Sequence, residues 1–162
     1  MPNPELAPAD AVVAMRSWPR RYRVELLPVE DPVTEARAVT IGAGGRSATD
    51  LAADTVRSLT LLERALHDVL VADEPVLHPA IVDRSARHWE AAVDESPSSV
   101  LAQLDDRAGS FAATIERTDT SAWTRSGSCA GRRVSALELV HEAVDTAASN
   151  LREMTAILAA LD

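Results

Sequence analysis

The stretch from Arg132 to Asp162 constrains the fold most, because it has the pattern of one long amphipathic helix. Ser135 and Glu138 have the spacing of a capping box, in which the hydroxyl accepts from a first-turn N–H and the carboxylate accepts from the N–H of the cap. At a period of about 3.6 residues, one side of this helix carries Leu137, Val140, Val144, Ala147, Leu151, Met154 and Leu158. The edges of that stripe carry Glu142, Asp145, Thr146, Ser149, Asn150 and Glu153. The rest of the chain must therefore supply an apolar surface for the stripe.

Two more stripes predict a second and a third helix. Ser47, with Asp50 at the box position, begins the second helix, which ends near Asp73. Ser96 followed by Pro97 begins the third, since proline is favoured at the first helical position. The second helix presents Leu51, Thr55, Leu59, Leu62, Leu66 and Val69, and the third presents Val100, Leu101, Leu104, Ala108, Phe111 and Ile115. Both stripes are long enough to cover a common core.

The first helix is predicted between Asp10, as its cap, and the residue before Pro28. A break or bend is expected at Trp18-Pro19, because a proline ring disfavours helix in the preceding residue. Residues 1–8 carry three prolines and are predicted to form a loose arm.

The connections 28–46, 75–97 and 118–131 are predicted to be loops, apart from one or two turns around Trp89. No alternating strand pattern is evident, so we predict one all-α domain over residues 1–162, a four-helix bundle. The first two connections are long enough to run along the bundle, so a simple up-down-up-down order is not required.

The formal net charge of −9 on 162 residues argues against nucleic acid or a membrane as partner. Arg20, Arg21 and Arg23 form a small basic cluster, which we interpret as a solvated face. Cys129 is the single cysteine and is predicted to be an incidental loop residue. With no secretory signal and no apolar run long enough to span a bilayer, a cytoplasmic location is expected.

The four histidines offer little chemistry. His141 and Asp145 are four residues apart, a spacing that brings two ligands onto one helix face, but helical spacing names no third ligand. An exposed His–Asp pair is therefore predicted. His67 is expected on a helix surface and His78 at the end of a turn, and His88 lies in a weakly patterned region. There is no hydrolase triad with a glycine elbow, no HExxH and no CxxC.

Several short motifs occur along the chain in a familiar order. They are the run 18–23 (Trp-Pro-Arg-Arg-Tyr-Arg), Ser47 at a helix start, the run 73–77 (Asp-Glu-Pro-Val-Leu), the run 123–127 (Trp-Thr-Arg-Ser-Gly), and the run 150–153 (Asn-Leu-Arg-Glu) in the last helix. Together they resemble the actinobacterial branch of the DinB/YfiT-like superfamily, which includes mycothiol-dependent maleylpyruvate isomerase. The resemblance covers nearly the whole chain. It implies a four-helix bundle in up-down-down-up order, in a superfamily of divalent-metal proteins and thiol-dependent transferases and isomerases.

In that superfamily three ligands bind a divalent metal. One is a histidine from the second helix. The other two come from the fourth helix, where a His or Glu is followed four residues later by a His. Those positions fall on Asp54, Thr146 and Asn150, so the resemblance implies a degenerate metal site with no imidazole. The alternative polar residues nearby are His141, Glu142, Asp145 and Ser149. We therefore expect no catalytic residue and no cofactor, or at most a weakly bound divalent metal.

Two functions remain open at this point. The favoured hypothesis is a non-catalytic binding or interaction protein that has lost its metal site, a homodimer through an apolar helix face, with an unknown small-molecule ligand possible. The alternative is a mycothiol-dependent transferase or isomerase with a weak or atypical metal site between the second and fourth helices, drawn from Asp54, Asp145 or Glu142, and His141. A third possibility is a structural remnant with neither ligand nor partner.

Overall fold

The computed structural model describes residues 6–87 and 95–162, and four long helices dominate them. These are α1 (Pro8–Leu26), α3 (Ala48–Val71), α4 (Pro97–Arg117) and α5 (Ala136–Ala160). A short helix, α2 (Pro32–Ala38), and a hairpin of β1 (Ser126–Cys129) and β2 (Arg132–Ser135) lie in the connections. The predicted all-α four-helix bundle is therefore confirmed, with a small strand pair added.

The contacts of α1 give its direction relative to two other helices. α1 packs against α4 and α5. Near its end, the Tyr22 hydroxyl reaches Thr55 at the beginning of α3, so α1 and α3 run in opposite directions. Before its beginning, Leu6 accepts a hydrogen bond from His141 in the first part of α5, so α1 and α5 are parallel.

The remaining pair, α3 and α4, is also parallel. Ser110 of α4 donates to Glu63 of α3 at 2.6 Å, and both residues lie past the middle of their helices. Beyond the end of α4, Arg125 donates to the Val69 carbonyl at the end of α3. The order is therefore up-down-down-up, as the resemblance implied, and α3 contacts both α4 and α5.

The predicted caps are present on three of these helices. Ser47 and Ser135 each form the complete capping box with the acidic residue three positions later. Ser96 accepts from the amide of Ser99, and Pro97 is the first helical residue. The predicted cap of α1 is wrong, because the helix begins at Pro8 and Asp10 lies in its first turn.

Substituting Ser135 by alanine is expected to lower the free energy of unfolding by about 1 kcal/mol, since a first-turn amide of α5 loses its acceptor. Urea denaturation followed by circular dichroism measures the change. Ser98→Ala is the control, because the exposed Ser98 side chain caps nothing, and it should stay within about 0.5 kcal/mol. Equal effects of the two substitutions would contradict the role of the cap.

The helix α1 continues through Pro19, so a break at this position is wrong, and the alternative of a bend stays a prediction. The proline deprives the Met15 carbonyl of one N–H donor. The buried side chains of Trp18 and Tyr22 hold the helix on both sides of it, with their rings edge to face and 6.4 Å apart. Packing of α1 against the core outweighs the local preference of the proline.

The sequence analysis missed a short helix and a hairpin in the connections, besides three short 3₁₀ helices at Pro79–Ile81, Arg84–Arg87 and Thr120–Thr124. Asp31 caps α2 by accepting from the amide of Thr34, and Pro32 follows it at the first helical position. In the hairpin, Ala130 and Gly131 both have positive φ, which suits the tight turn between two antiparallel strands. The segment 118–131 is therefore not a plain loop, and Cys129 is buried in β1.

The predicted core of α3 and α4 is buried throughout, whereas the buried arc of α5 is wider than its predicted stripe. Leu139 and Ala143 are fully buried, and Leu137 and Val144 lie only half-buried at the edge. The reason is that α5 packs against both α3 and α1. Thr146 and Asn150, predicted on a polar edge, are consequently buried.

In the described part of the chain, no helix combines the length and the apolar character needed to cross a bilayer.

Candidate functional site

The three positions implied by the resemblance lie at the interface of α3 and α5. Asp54 belongs to α3, and Thr146 and Asn150 lie one turn apart on the face of α5 that packs toward it. The Asn150 side-chain amide donates to Asp54 Oδ2 and to Thr55 Oγ1, each at 2.9 Å. An amide nitrogen that donates twice has no further donor to offer, so Asn150 acts here as a link between the two helices.

Tyr22 completes this link from α1. Its hydroxyl donates to the Ala147 carbonyl at 2.7 Å and lies 2.8 Å from Thr55 Oγ1. Burial is the main cause that raises the pKa of Tyr22 well above its ordinary value, so the phenol stays neutral near pH 7. Tyr22 therefore serves as a hydrogen-bonding group between three helices and has no charge to contribute to acid–base chemistry.

Beside this network lies a buried guanidinium. The Arg87 side chain is 3% exposed and comes from the segment between α3 and α4. Its Nε donates to the Ala80 carbonyl at 2.6 Å, and its Nη2 donates to the Ile81 carbonyl at 2.9 Å and to Glu142 Oε1 at 3.1 Å. Its Nη1 donates to Thr146 Oγ1 at 3.3 Å. The two backbone bonds fix the guanidinium to its own segment, and the other two attach that segment to α5.

Glu142 is surrounded by donors. Arg84 binds it through both oxygens, with Nε at 2.6 Å from Oε1 and Nη2 at 3.1 Å from Oε2. Arg87 and the Thr146 hydroxyl, at 3.2 Å, also donate to Oε1. The Glu142 carboxylate therefore joins two guanidiniums and one hydroxyl through charge-assisted hydrogen bonds.

Opposing effects act on the charge of Arg87. Burial lowers the pKa of Arg87, whereas the negative charges of Glu142 and Asp54 raise it. A guanidinium ordinarily titrates above about pH 12, so Arg87 remains a cation in this environment. Asp54 Oδ1 lies 3.7 Å from Arg46, so both acidic residues of the interface face positive charge.

The other predicted site residues on α5 do not converge with these groups. His141 is directed to the segment before α1, where its Nε2 lies 2.8 Å from the Leu6 carbonyl oxygen. Asp145 and Ser149 are half-buried, and the charge of Asp145 contributes to raising the pKa of Arg84, after the larger effect of Glu142. The structure therefore separates His141 from the interface that contains Asp54 and Asn150.

The other histidines that the structure describes and the cysteine lie outside this network. His67 is exposed on α3, as predicted. His78 begins a short 3₁₀ turn, where its Nδ1 accepts from the amide of Ala80 at 3.1 Å. It therefore caps the start of a turn, whereas the sequence predicted that it would end one. Cys129 donates from Sγ to the His78 carbonyl at 3.2 Å. His88 and Trp89 lie outside the described residues.

Sequence reasoning missed Arg84, Arg87 and Tyr22 as members of this network. The signal for Tyr22 was present, because a tyrosine on the apolar side of a helix must find a partner for its hydroxyl. Arg87 lies in a segment without periodicity, and only the fold brings it under α5. Across residues 6–87 and 95–162, no three side chains of His, Cys, Asp or Glu are grouped so that they could hold a metal ion.

Comparison with known proteins gives one informative result. Neither a family model nor a curated protein matches the chain. A solved structure, described as YfiT from Bacillus subtilis, a probable metal-dependent hydrolase with an unusual four-helix bundle topology, is similar with a TM-score of 0.81. The match covers 99% of this chain and 93% of that chain at 12% sequence identity. This likeness confirms the predicted fold, and at such low identity it shows the fold alone, so the actinobacterial branch stays a prediction.

Proposed function

We propose that this chain is a metal-free binding or interaction protein on a YfiT-like bundle, in which Arg87 supplies the positive charge between α3 and α5. The observation that carries the proposal is the buried Arg87 guanidinium, bonded to Glu142 and Thr146. YfiT itself is described as a probable metal-dependent hydrolase. The donor set between α3 and α5 of this chain supports a use without a metal.

The side chains at the interface do not suit a divalent metal. Thr146 and Asn150 are neutral oxygen donors, and transition metals prefer imidazole, thiolate or carboxylate. Glu142 and Asp54 already face guanidiniums. A divalent ion about 4 Å from Arg87 would meet a repulsion of roughly 8 kcal/mol at an effective dielectric constant of about 20. Metal binding would therefore require Arg87 to leave its position.

Among the described residues of the interface, Glu142 and Tyr22 are not suited to acid–base catalysis. A general base needs a pKa near the working pH and access to a proton. The Glu142 carboxylate is held by two guanidiniums, and the raised pKa of Tyr22 keeps that phenol protonated. His141, whose imidazole could serve, contacts the Leu6 carbonyl at 2.8 Å and not this network. These features support binding over catalysis.

Metal analysis tests the proposal directly. Protein purified without chelators should contain zinc, nickel and iron at well below one ion per chain by inductively coupled plasma mass spectrometry. The variant Arg87→Ala/Thr146→His/Asn150→His should gain zinc toward one ion per chain, because it removes the cation and adds two imidazoles at the spacing of helical ligands. Near-stoichiometric metal in the unmodified protein would overturn the proposal.

The matched control is Thr146→His/Asn150→His with Arg87 retained. It has the same two imidazoles, so a low zinc content in this variant assigns the exclusion of metal to the Arg87 charge. If it binds zinc as well as the triple variant does, Arg87 does not exclude the metal. Metal-dependent turnover with a low-molecular-weight thiol, lost in Asp54→Ala, would instead favour the thiol-dependent transferase or isomerase.

A further inference from the structure

An open groove of about 910 Å³ runs between the parallel helices α1 and α5. Its walls include Val13 and Val24 on α1 and Leu151 on α5. Val13 is 70% exposed and Val24 is 59% exposed, so both present apolar surface to solvent. None of these residues contributes to the network around Arg87. The groove is therefore a second candidate site with a different composition.

Two hydroxyl-bearing residues of the groove present mainly carbon atoms to a ligand. Ser17 and Thr155 both line it. The Ser17 hydroxyl donates to the Ala14 carbonyl at 2.6 Å, and the Thr155 hydroxyl donates to the Leu151 carbonyl at 3.0 Å. Because both hydroxyls are occupied by their own helices, these side chains offer a ligand mainly carbon.

The charge along the groove is positive although the whole chain is acidic. Four arginines, at positions 16, 20, 21 and 152, line it with a single acidic residue, Glu25. Among the described residues, the only ion pair of these arginines is that of Arg16 with Glu116 at 2.9 Å. Arg21 lies over the ring of Trp18, 4.5 Å from its centroid. The guanidiniums of Arg20 and Arg152 thus have no carboxylate partner within the described chain.

We propose that this groove binds an amphiphile that carries a carboxylate or phosphate on a single hydrocarbon tail. The head would be bound by Arg20 and Arg152, since guanidiniums pair with both anions through two parallel hydrogen bonds. The tail would run from this head toward Val13, which lies about 10 Å before Arg20 along α1 at the helical rise. The net charge of −9 does not prevent this, because charges beyond about 8 Å are screened at physiological ionic strength.

An anionic amphiphile would be a ligand of the proposed binding protein, but the groove residues lie outside the α3–α5 interface. Zinc bound at Asp54 would leave the groove intact, and an inert groove would leave the Arg87 network unchanged. The two proposals can therefore fail separately.

Isothermal titration calorimetry with dodecanoate, dodecyl phosphate and dodecanol, each below its micelle concentration, tests the groove. Both anions should bind saturably, and dodecanol should bind at least about tenfold more weakly because it lacks the charged contact. Arg20→Gln/Arg152→Gln should weaken binding of the anions by about tenfold or more. The control Arg64→Gln/Arg117→Gln removes two exposed charges outside the groove and should bind as the unmodified protein does.

Three outcomes would overturn the proposal. One is the absence of saturable binding of dodecanoate and dodecyl phosphate. Another is an equal loss in both double variants, which would indicate only a general effect of charge. The third is sedimentation with phosphatidylglycerol–phosphatidylcholine vesicles without binding of the free anions, which would make the surface a membrane contact. Unchanged circular dichroism spectra of the variants establish that all are folded.

Discussion

Replacing Arg87 by alanine is expected to lower the free energy of unfolding by about 2–4 kcal/mol. Removing one member of a buried ion pair ordinarily costs about 3–5 kcal/mol, because the partner is left without compensation. Here the cost should be smaller, since the Glu142 side chain is 26% exposed and retains Arg84. The Ala80 and Ile81 carbonyls also lose their donor. Urea denaturation of the two proteins at the same pH measures the difference.

Arg84→Ala is the matched control for this prediction. Arg84 binds the same carboxylate from the surface, where its side chain is 46% exposed, so its loss should cost no more than about 1 kcal/mol. Arg87→Lys should restore only part of the stability, because an ammonium keeps the charge but cannot reproduce the fork of hydrogen bonds. If Arg87→Ala and Arg84→Ala have equal costs, Arg87 is not the buried link described here.

Gly127→Ala is expected to cost about 1–3 kcal/mol, the range for overpacking a filled interior. A Cβ at this position would lie 2.8 Å from the Pro75 carbonyl oxygen and 2.9 Å from Leu77 Cγ. The next residue, Ser128, exchanges backbone hydrogen bonds with Pro75 and Leu77 at 2.8 and 2.7 Å, so strand β1 cannot move away freely. Urea denaturation measures the cost, and amide exchange at Leu77 reports whether this pairing is loosened.

Gly44→Ala provides the control, because a Cβ at Gly44 would have no atom within 4 Å. Its backbone is not in the left-handed region, so alanine should be tolerated within about 0.5 kcal/mol. A Gly127→Ala variant as stable as Gly44→Ala would show that β1 and the segment after α3 are not closely packed.

The bundle could be predicted because its signals are local. Ser47 and Ser135 specify helix beginnings through contacts three residues away, and the apolar period of α3 and α4 identifies their buried sides directly. The hairpin depends on two positive-φ residues, and Ala130 gives no sign of this in the sequence. The break expected at Pro19 did not occur, because packing of Trp18 and Tyr22 overrides the local preference of a proline.

The candidate site was predictable only in part, because some of its residues are brought together by contacts that are distant in the sequence. The sequence pointed to Asp54 and Asn150, and the structure joins them by a hydrogen bond of 2.9 Å. The buried position of Asn150 depends on α5 having two neighbouring helices, which its own period does not reveal. Arg87 is buried by contacts with residues 55 and 59 positions later in the chain. No spacing rule extends over such distances, so the cation of the interface could be identified only from the fold.

The packing of α5 against both α1 and α3 has a consequence for synthesis of the protein on the ribosome. The Tyr22 hydroxyl finds its carbonyl acceptor at Ala147, 125 residues later. Until α5 leaves the exit tunnel, a nascent chain therefore has α1, α3 and α4 without the helix that packs against both α1 and α3. Such an incomplete chain exposes apolar surface that chaperones recognise. We therefore expect a chain truncated before residue 136 to be a substrate for quality control and not a smaller version of the bundle.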